Sequence, residues 1–124
     1  MKPIKTILAA TDFSPTAGRA EERAALVAAQ HDACLTLLHC VSGVGFERLR
    51  DRLLHGSART EAQLLAYYES VLRRQAEVLA ERWRIEVTPL LAVGQPHREI
   101  TRAAADLGAD LIVLGAMGEH PATK

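Results

Sequence analysis

The amino-acid sequence predicts an α/β fold, an open sheet of parallel strands with helices packed against it. Apolar segments of strand length alternate along the chain with amphipathic segments of helix length, a pattern typical of parallel strands joined by right-handed crossovers. The segment Leu-Ile-Val-Leu at 111–114 is apolar at every position, and such strands are normally buried on both faces of a sheet. The 124 residues, 48% of them apolar, fit one domain, 1–124, with a substantial core.

The first part of the chain has a β-α-β pattern. Residues 4–10 are predicted to form a buried strand, which the polar and proline-containing segment 11–15 ends. Residues 16–31 have apolar side chains at helical spacing and predict a helix. The charged residues of that helix are placed on its solvent side: Arg19, Glu21, Glu22 and Arg23. Residues 34–41 predict a second buried strand, and a Gly-rich turn follows at 42–45.

The second part continues the alternation of helices and strands. Residues 46–83 are helical in pattern with a break at 55–57, and their clearest apolar stripe lies within 61–82. The remaining predicted elements are a strand at 84–93, a helix at 97–107 and a strand at 110–114. Gly108 is suited to the left-handed residue that ends the helix before the last strand.

Composition and charge disfavour several functional classes. Fifteen basic and fifteen acidic side chains cancel, so the chain lacks the positive field that favours binding to nucleic acid. No apolar run approaches membrane-spanning length, so no membrane partner is expected. Cys34 and Cys40 lie on one predicted strand, about 20 Å apart at ~3.3 Å per residue, too far for a disulfide. Reduced, buried thiols and the absence of a signal-peptide core lead us to expect a cytoplasmic protein.

Four segments, in this order and spacing, resemble the universal stress protein family: 7–14, 35–41, 93–96 and 108–118. The resemblance implies a three-layer, flavodoxin-like or Rossmann-like fold with strand order 3-2-1-4-5. It also implies frequent homodimers and two branches, one of which binds ATP. The family's fifth strand and last helix would fall after Lys124, so the order expected within these residues is 3-2-1-4.

In the ATP-binding branch, the resemblance implies that an Asp after strand one recognises the adenine region. A Gly-rich loop after strand four surrounds the ribose and phosphates. Gly115 and Gly118 resemble the start of that loop, whose closing Gly and Ser/Thr would lie beyond Lys124. ATP, with or without Mg²⁺, is therefore the expected ligand. The nucleotide-binding residues expected on this basis are Ala10, Thr11, Asp12, Val41, Gly115, Met117 and Gly118.

Elementary chemistry is consistent with a ligand site at this place. The carboxyl ends of strands one and four flank the point where strand order reverses, which is where open α/β sheets bind ligands. Glycines allow backbone N–H groups to approach a phosphate, and the Asp12 carboxylate accepts hydrogen bonds from amino or hydroxyl groups. The alternatives are structural: Asp12 would cap the first helix or form an Asx-turn with Ser14, and the glycines would be ordinary turn residues.

The sequence offers little support for catalysis or metal binding. No general base or paired-carboxylate metal site is evident for phosphoryl chemistry, so at most weak ATP hydrolysis is expected. The histidines lack metal-ligand spacing, and His39 is expected to be a hydrogen-bonded core residue. The alternative function is a nucleotide-free interaction protein that acts through its dimer surface. An apolar edge strand at 111–114 favours association with a second copy.

Overall fold

A computed structural model describes residues 3–41 and 61–115 of the chain. The predicted Gly-rich turn at 42–45, the predicted break at 55–57, Met117 and Gly118 lie outside the described residues. The elements alternate in type, and their bounds are β1 Thr6–Ala10, α1 Pro15–His31, β2 Cys34–Val41, α2 Glu61–Trp83, β3 Val87–Val93, α3 Pro96–Leu107 and β4 Leu111–Leu114.

The four strands form one parallel sheet in the order β3-β2-β1-β4, which confirms the order expected from the sequence. β1 is central: Ala10 at its carboxyl end lies beside Leu38 of β2 on one side and Leu114 of β4 on the other. Ile7 and Leu8 are fully buried because β1 has neighbouring strands on both edges and helices on both faces. The chain therefore has an α/β, Rossmann-like architecture.

Helices α1 and α2 cover one face of the sheet, and α3 covers the other. On the first face, Ile7 and Leu35 pack with small residues of α1 and with Leu72 of α2. On the second face, Leu8 and Leu38 pack with Ala103 of α3. The small side chains of α1 allow that helix to approach the sheet closely.

Strand β4 is buried on one face only, so the expectation of burial on both faces is wrong. Leu111 and Val113 pack against the core under α1 and α2. Ile112 and Leu114 are 43% and 55% exposed on the opposite face. The reason is the position of α3, which packs over β1 and β2 and not over β4.

Glu21 also differs from expectation, because it is buried and not on the solvent side of α1. Its side chain is only 1% exposed. The buried residues of α1 form one stripe at helical spacing, and Glu21 lies within it: Ala17, Glu21, Ala24, Ala25 and Ala28.

The two cysteines are free, as predicted, but only one is shielded by the sheet. Cys40 is half-buried, whereas Cys34, at the start of β2, is exposed and not buried as expected. Partial desolvation, followed by the carboxylate of Glu86, raises the pKa of the Cys34 thiol. Desolvation and the carboxylate of Glu99 raise that of Cys40. Both groups are therefore predominantly neutral thiols at neutral pH.

Candidate functional site

The candidate site lies at the carboxyl edge of the sheet, where β1 and β4 end side by side. Since Ala10 pairs with Leu114, the residues that follow these strands, Thr11, Asp12 and Gly115, come out at the same edge. Ala10 itself is half-buried at the end of β1. The structure thus brings four of the expected site residues to one edge of the sheet: Ala10, Thr11, Asp12 and Gly115.

Asp12 is exposed and forms an Asx-turn with Ser14. Its Oδ1 accepts a hydrogen bond of 2.9 Å from the N–H of Ser14. Hydrogen bonding from the Ser14 hydroxyl is the largest effect on the pKa of Asp12 and lowers it below its ordinary value of 3.8. Partial burial opposes this shift, and the backbone N–H groups of Ser14 and Asp12 reinforce it. The structural alternative of an Asx-turn is therefore present, and it holds an ionised carboxylate at the sheet edge.

Ser14, and not Asp12, caps helix α1. The Ser14 hydroxyl oxygen accepts a hydrogen bond of 3.1 Å from the N–H of Ala17. Pro15 at the first helical position contributes no N–H group, and the N–H of Gly18 bonds to the Ser14 carbonyl at 2.9 Å. Ser14 thus already engages the N–H groups of Ala17 and Gly18, so these two donors are not available to a phosphate.

Thr11 is buried, and its N–H, carbonyl and hydroxyl groups all form hydrogen bonds that hold the loop after β1 in place. Its N–H donates to the carbonyl of Leu38 at 2.8 Å, and its own carbonyl lies 2.8 Å from Nδ1 of His39. Its hydroxyl donates to Oε2 of Glu21 and accepts a 3.0 Å hydrogen bond from the N–H of Phe13. Because its hydroxyl is engaged within the protein, Thr11 fixes the shape of the loop that carries Asp12.

Phe13 and His39 form the inner wall of the loop. Phe13 has a φ of 66°, a left-handed conformation uncommon for a residue with a side chain. Its ring lies over the imidazole of His39, with centroids 4.4 Å apart, and Tyr68 lies 5.7 Å from the same imidazole. His39 is a half-buried, hydrogen-bonded residue of the core, as predicted.

Val41, at the end of β2, is buried against α2, whereas Asp12 is exposed. Its side chain is 6% exposed and packs against Leu64 of α2, and its carbonyl accepts a 2.9 Å hydrogen bond from the N–H of Gly94. Any contact between Val41 and a ligand would therefore involve its backbone. Gly94, which sequence reasoning treated only as a turn residue, joins the ends of β2 and β3 at this edge.

Gly115 lies against the first turn of α1. A Cβ atom at this position would be 3.2 Å from Cα of Ala17 and 3.3 Å from its N, closer than most side-chain carbons approach a backbone. A side chain here would therefore push against the backbone of α1, so glycine favours the close packing of β4 on α1. That same approach brings the end of β4 next to the loop that carries Asp12.

Sequence reasoning missed two residues beneath this edge, Glu21 and Gln75. Nε2 of Gln75 donates a 2.8 Å hydrogen bond to Oε1 of Glu21, whose other oxygen accepts from Thr11. The available signal for Glu21 was its spacing, since it follows Ala17 by four residues and precedes Ala24 by three. No comparable signal marks Gln75, which depends on how α2 packs against α1.

Two further classes of site can be examined in the described part of the chain. Residues 3–41 and 61–115 contain no group of three His, Cys, Asp or Glu side chains arranged to hold a metal ion. Among the same residues, no helix is long and apolar enough to cross a membrane.

Comparison with known proteins places this architecture in context. No curated protein sequence matches the chain. The structure of the universal stress protein UspA from Lactobacillus plantarum has a TM-score of 0.71 at 24% identity, covering 97% of this chain and 84% of that one. A universal stress protein from Burkholderia pseudomallei gives 0.67 at 24%, covering 94% and 84%. A universal stress protein in complex with cAMP gives 0.65 at 21%, covering 90% and 72%.

These likenesses concern the fold, since each is below 25% in sequence identity. The family itself is established by sequence, because the profile of the universal stress protein family matches residues 3–124. Together with the 3-2-1-4 parallel sheet, this match shows that the chain belongs to the universal stress protein family.

Proposed function

We propose that this protein is a stress-response module that binds an adenine nucleotide, ATP with or without Mg²⁺, between the carboxyl ends of β1 and β4. One observation carries the proposal: the ionised, exposed Asp12 is held at the edge of the sheet beside Gly115. A carboxylate accepts the hydrogen bonds that an adenine amino group or a ribose hydroxyl donates. One structural neighbour is a universal stress protein in complex with cAMP, which also contains adenine and ribose.

The proposed contacts combine the described edge of the sheet with the expectation for the loop after β4. Asp12 would accept from adenine or ribose, and Val41 would contribute its backbone. The backbone at Gly115, Met117 and Gly118 would surround the phosphates, because glycine has no Cβ atom to obstruct a close approach. Ala10 and Thr11 would support the loop from below. The proposed activity is binding, with signalling through conformation or dimer state; the proposed location is the cytoplasm, consistent with two free cysteines.

The test is a nucleotide titration of the whole chain by thermal shift and calorimetry, with ATP, ADP, AMP and cAMP as ligands and GTP as the control. A ligand at ~100 times its Kd adds about 2.7 kcal/mol to the free energy of unfolding, which corresponds to a Tm increase of about 10 °C for a domain of this size. Stabilisation by the adenine nucleotides that exceeds stabilisation by GTP supports the proposal. A Tm unchanged by every nucleotide overturns it.

Two Asp variants locate the site. Asp12→Ala removes a charged acceptor, so we expect the affinity for ATP to fall by roughly 10- to 100-fold. Asp110→Ala is the matched control at the opposite end of the sheet. There the Asp110 carboxylate accepts from the N–H groups of Lys5 and Thr6, at 2.9 and 3.0 Å. The control should lower stability without lowering affinity; equal affinity losses in the two variants would contradict the assigned site.

One observation favours the second candidate function, a nucleotide-free protein that acts through its dimer surface. Ile112 and Leu114 expose apolar side chains on β4. Such a strand favours pairing with another copy, so a homodimer is proposed with either function. If no nucleotide stabilises the protein, this second function is preferred.

A further inference from the structure

The buried carboxylate of Glu21 has no place in the function proposed so far. Glu21 is 1% exposed, and its two oxygens accept hydrogen bonds from different parts of the molecule. Oε2 accepts from the hydroxyl of Thr11, in the loop after β1, and Oε1 accepts from Nε2 of Gln75 in α2 at 2.8 Å. A buried carboxyl group with two donors forms a rigid contact, because losing either donor would leave a buried oxygen without its hydrogen bond.

The contact with Glu21 fixes the direction of the Thr11 hydroxyl. A hydroxyl can donate one hydrogen bond, and the Thr11 hydroxyl donates its hydrogen bond to Glu21. Its lone pairs are then available to the N–H of Phe13, which donates to it at 3.0 Å. Without the carboxylate, the hydroxyl could rotate and Phe13 would lose a fixed acceptor.

Phe13 is the residue of this loop that most needs external support. Its φ of 66° is unfavourable for a residue with a Cβ atom, so neighbouring contacts must hold it. Those contacts are the hydrogen bond to Thr11 and the tilted ring contact with His39. Asp12 directly precedes Phe13, and Ser14, which holds the Asp12 carboxylate, directly follows it. The backbone conformation of Phe13 therefore determines the position of the Asp12 carboxylate.

We propose that Glu21 is a positioning residue, which holds the loop of Asp12 in its binding conformation through Thr11 and is itself anchored on α2 by Gln75. This role rests on the proposed nucleotide site, and it makes the affinity of that site depend on a residue that never contacts the ligand. If loss of the carboxylate leaves the loop correctly folded for about a tenth of the time, the apparent affinity falls about tenfold.

Glu22 supplies the matched control. It is the next residue of α1, and it also bridges to α2: Oε1 accepts from Nε1 of Trp83 at 2.8 Å, and Oε2 accepts from Arg82 at 2.5 Å. Neither of these two hydrogen bonds reaches the loop of Asp12. Glu22→Leu and Glu21→Leu therefore both remove an α1–α2 bridge, but only Glu21→Leu removes the support of Thr11.

The first measurement is amide hydrogen exchange at Phe13 and Ser14 in the whole chain without nucleotide. We expect Glu21→Leu to increase exchange at these two amides at least tenfold relative to Glu22→Leu, because a loop ordered for about a tenth of the time leaves both amides unprotected for the rest. Glu21→Gln should restore slow exchange, because its amide can accept from Thr11 while donating to a rotated Gln75 amide. Equal exchange in Glu21→Leu and Glu22→Leu overturns the proposal. Exchange in Glu21→Gln that is as fast as in Glu21→Leu also overturns it.

The second measurement is calorimetric titration with ATP. Glu21→Leu should weaken binding about tenfold, and Glu22→Leu should not change it. Thr11→Val removes the hydroxyl that donates to Glu21, with little change in side-chain shape. It should therefore weaken ATP binding as much as Glu21→Leu does. The double variant should bind ATP no more weakly than either single variant. Additive losses would show that Glu21 does not act through Thr11. Should Glu21→Leu fail to fold, Thr11→Val takes its place in both measurements.

The two measurements separate the two proposals. If the unmodified chain binds no ATP, the nucleotide function and the effect of Glu21 on affinity both fail, whatever the exchange shows. If the chain binds ATP but exchange at Phe13 is the same in Glu21→Leu and Glu22→Leu, the nucleotide function stands and the positioning role fails.

Discussion

Asp12 is ionised and hydrogen-bonded by Ser14, which makes the loop after β1 sensitive to acid. These hydrogen bonds lower the pKa of Asp12 in the folded protein below 3.8, so the folded state binds this proton less readily than the unfolded state does. The resulting stabilisation is fully present above the ordinary pKa and is lost as the pH falls through the lowered one. Because Asp12 is exposed, solvent screening keeps this contribution small.

We therefore expect Asp12→Asn to be slightly less stable than the unmodified chain at neutral pH and equally stable in strong acid. Asn retains a side-chain oxygen for the Asx-turn, so the comparison isolates the charge. Urea unfolding of both proteins between roughly pH 3 and pH 6 gives the free-energy difference at each pH. A difference that does not shrink as the pH falls would show that the Asp12 charge does not stabilise the fold.

At the scale of residues, the candidate site was only partly predictable from sequence. Asp12 could be located because it follows an apolar strand and precedes a Ser-Pro helix start, and its Asx-turn was among the alternatives. The binding roles of all seven expected residues stay predictions: Ala10, Thr11, Asp12, Val41, Gly115, Met117 and Gly118. Glu21 was wrongly predicted to face solvent, as an acidic side chain of a helix usually does. Its hydrogen-bond donors come from residues ten and 54 positions away, which the local pattern does not show.

At the scale of elements, the contact between β4 and the first turn of α1 gives a sharp test of packing. A methyl group at Gly115 would meet the backbone of Ala17 at 3.2 Å, and backbone moves less readily than a side chain. We expect Gly115→Ala to lower the free energy of unfolding by about 1–3 kcal/mol.

The control for that variant is Gly18→Ala, one helical turn into the same helix. A Cβ atom at Gly18 would meet nothing within 4 Å, and alanine favours a helix interior over glycine. This variant should raise stability by about 0.5–1 kcal/mol. Urea unfolding of the two variants should thus give shifts of opposite sign. If Gly115→Ala is as stable as the unmodified chain, the close approach of β4 to α1 is wrong.

The order and type of the helices and strands could be predicted from the local sequence pattern. The residues at which they begin and end could not, because these depend on contacts between residues distant in sequence. Residues 84–93 alternate like a strand, yet β3 begins only at Val87. Arg84 has a φ of 55°, and the N–H of Ile85 bonds back to the carbonyl of Ala80, so the chain is still leaving α2 there. The half-exposure of β4 was unpredictable for a similar reason, since it depends on which strands α3 covers.

At the scale of the whole molecule, one sheet joins the two parts of the core. The cluster under α1 and α2 and the cluster under α3 share β1 and β2, whose successive residues point to opposite faces. That residues 1–124 form a single domain stays a prediction, and the shared sheet supports it.

The surface of β4 leads to a prediction about association. Ile112 is 43% exposed on this strand, and we expect copies of the chain to pair there. Ile112→Lys should weaken the dimer by at least about tenfold, because a charge on the pairing strand opposes a second copy with the same charge. Val93→Lys is the control, since Val93 is 47% exposed at the other side of the sheet. Sedimentation at tens of micromolar decides: a monodisperse monomer for the unmodified chain contradicts the prediction.

Pro89 has a consequence for how large such an assembly becomes. It lies in β3, the strand at the other side of the sheet, in register with Leu37. The N–H of Leu35 bonds to the carbonyl of Glu86, so the alternation of a parallel ladder turns the nitrogen of Pro89 toward the outside. A proline nitrogen has no hydrogen to offer an incoming strand. Pro89 therefore disfavours strand pairing at β3, so we expect an assembly formed through β4 to stop at two copies.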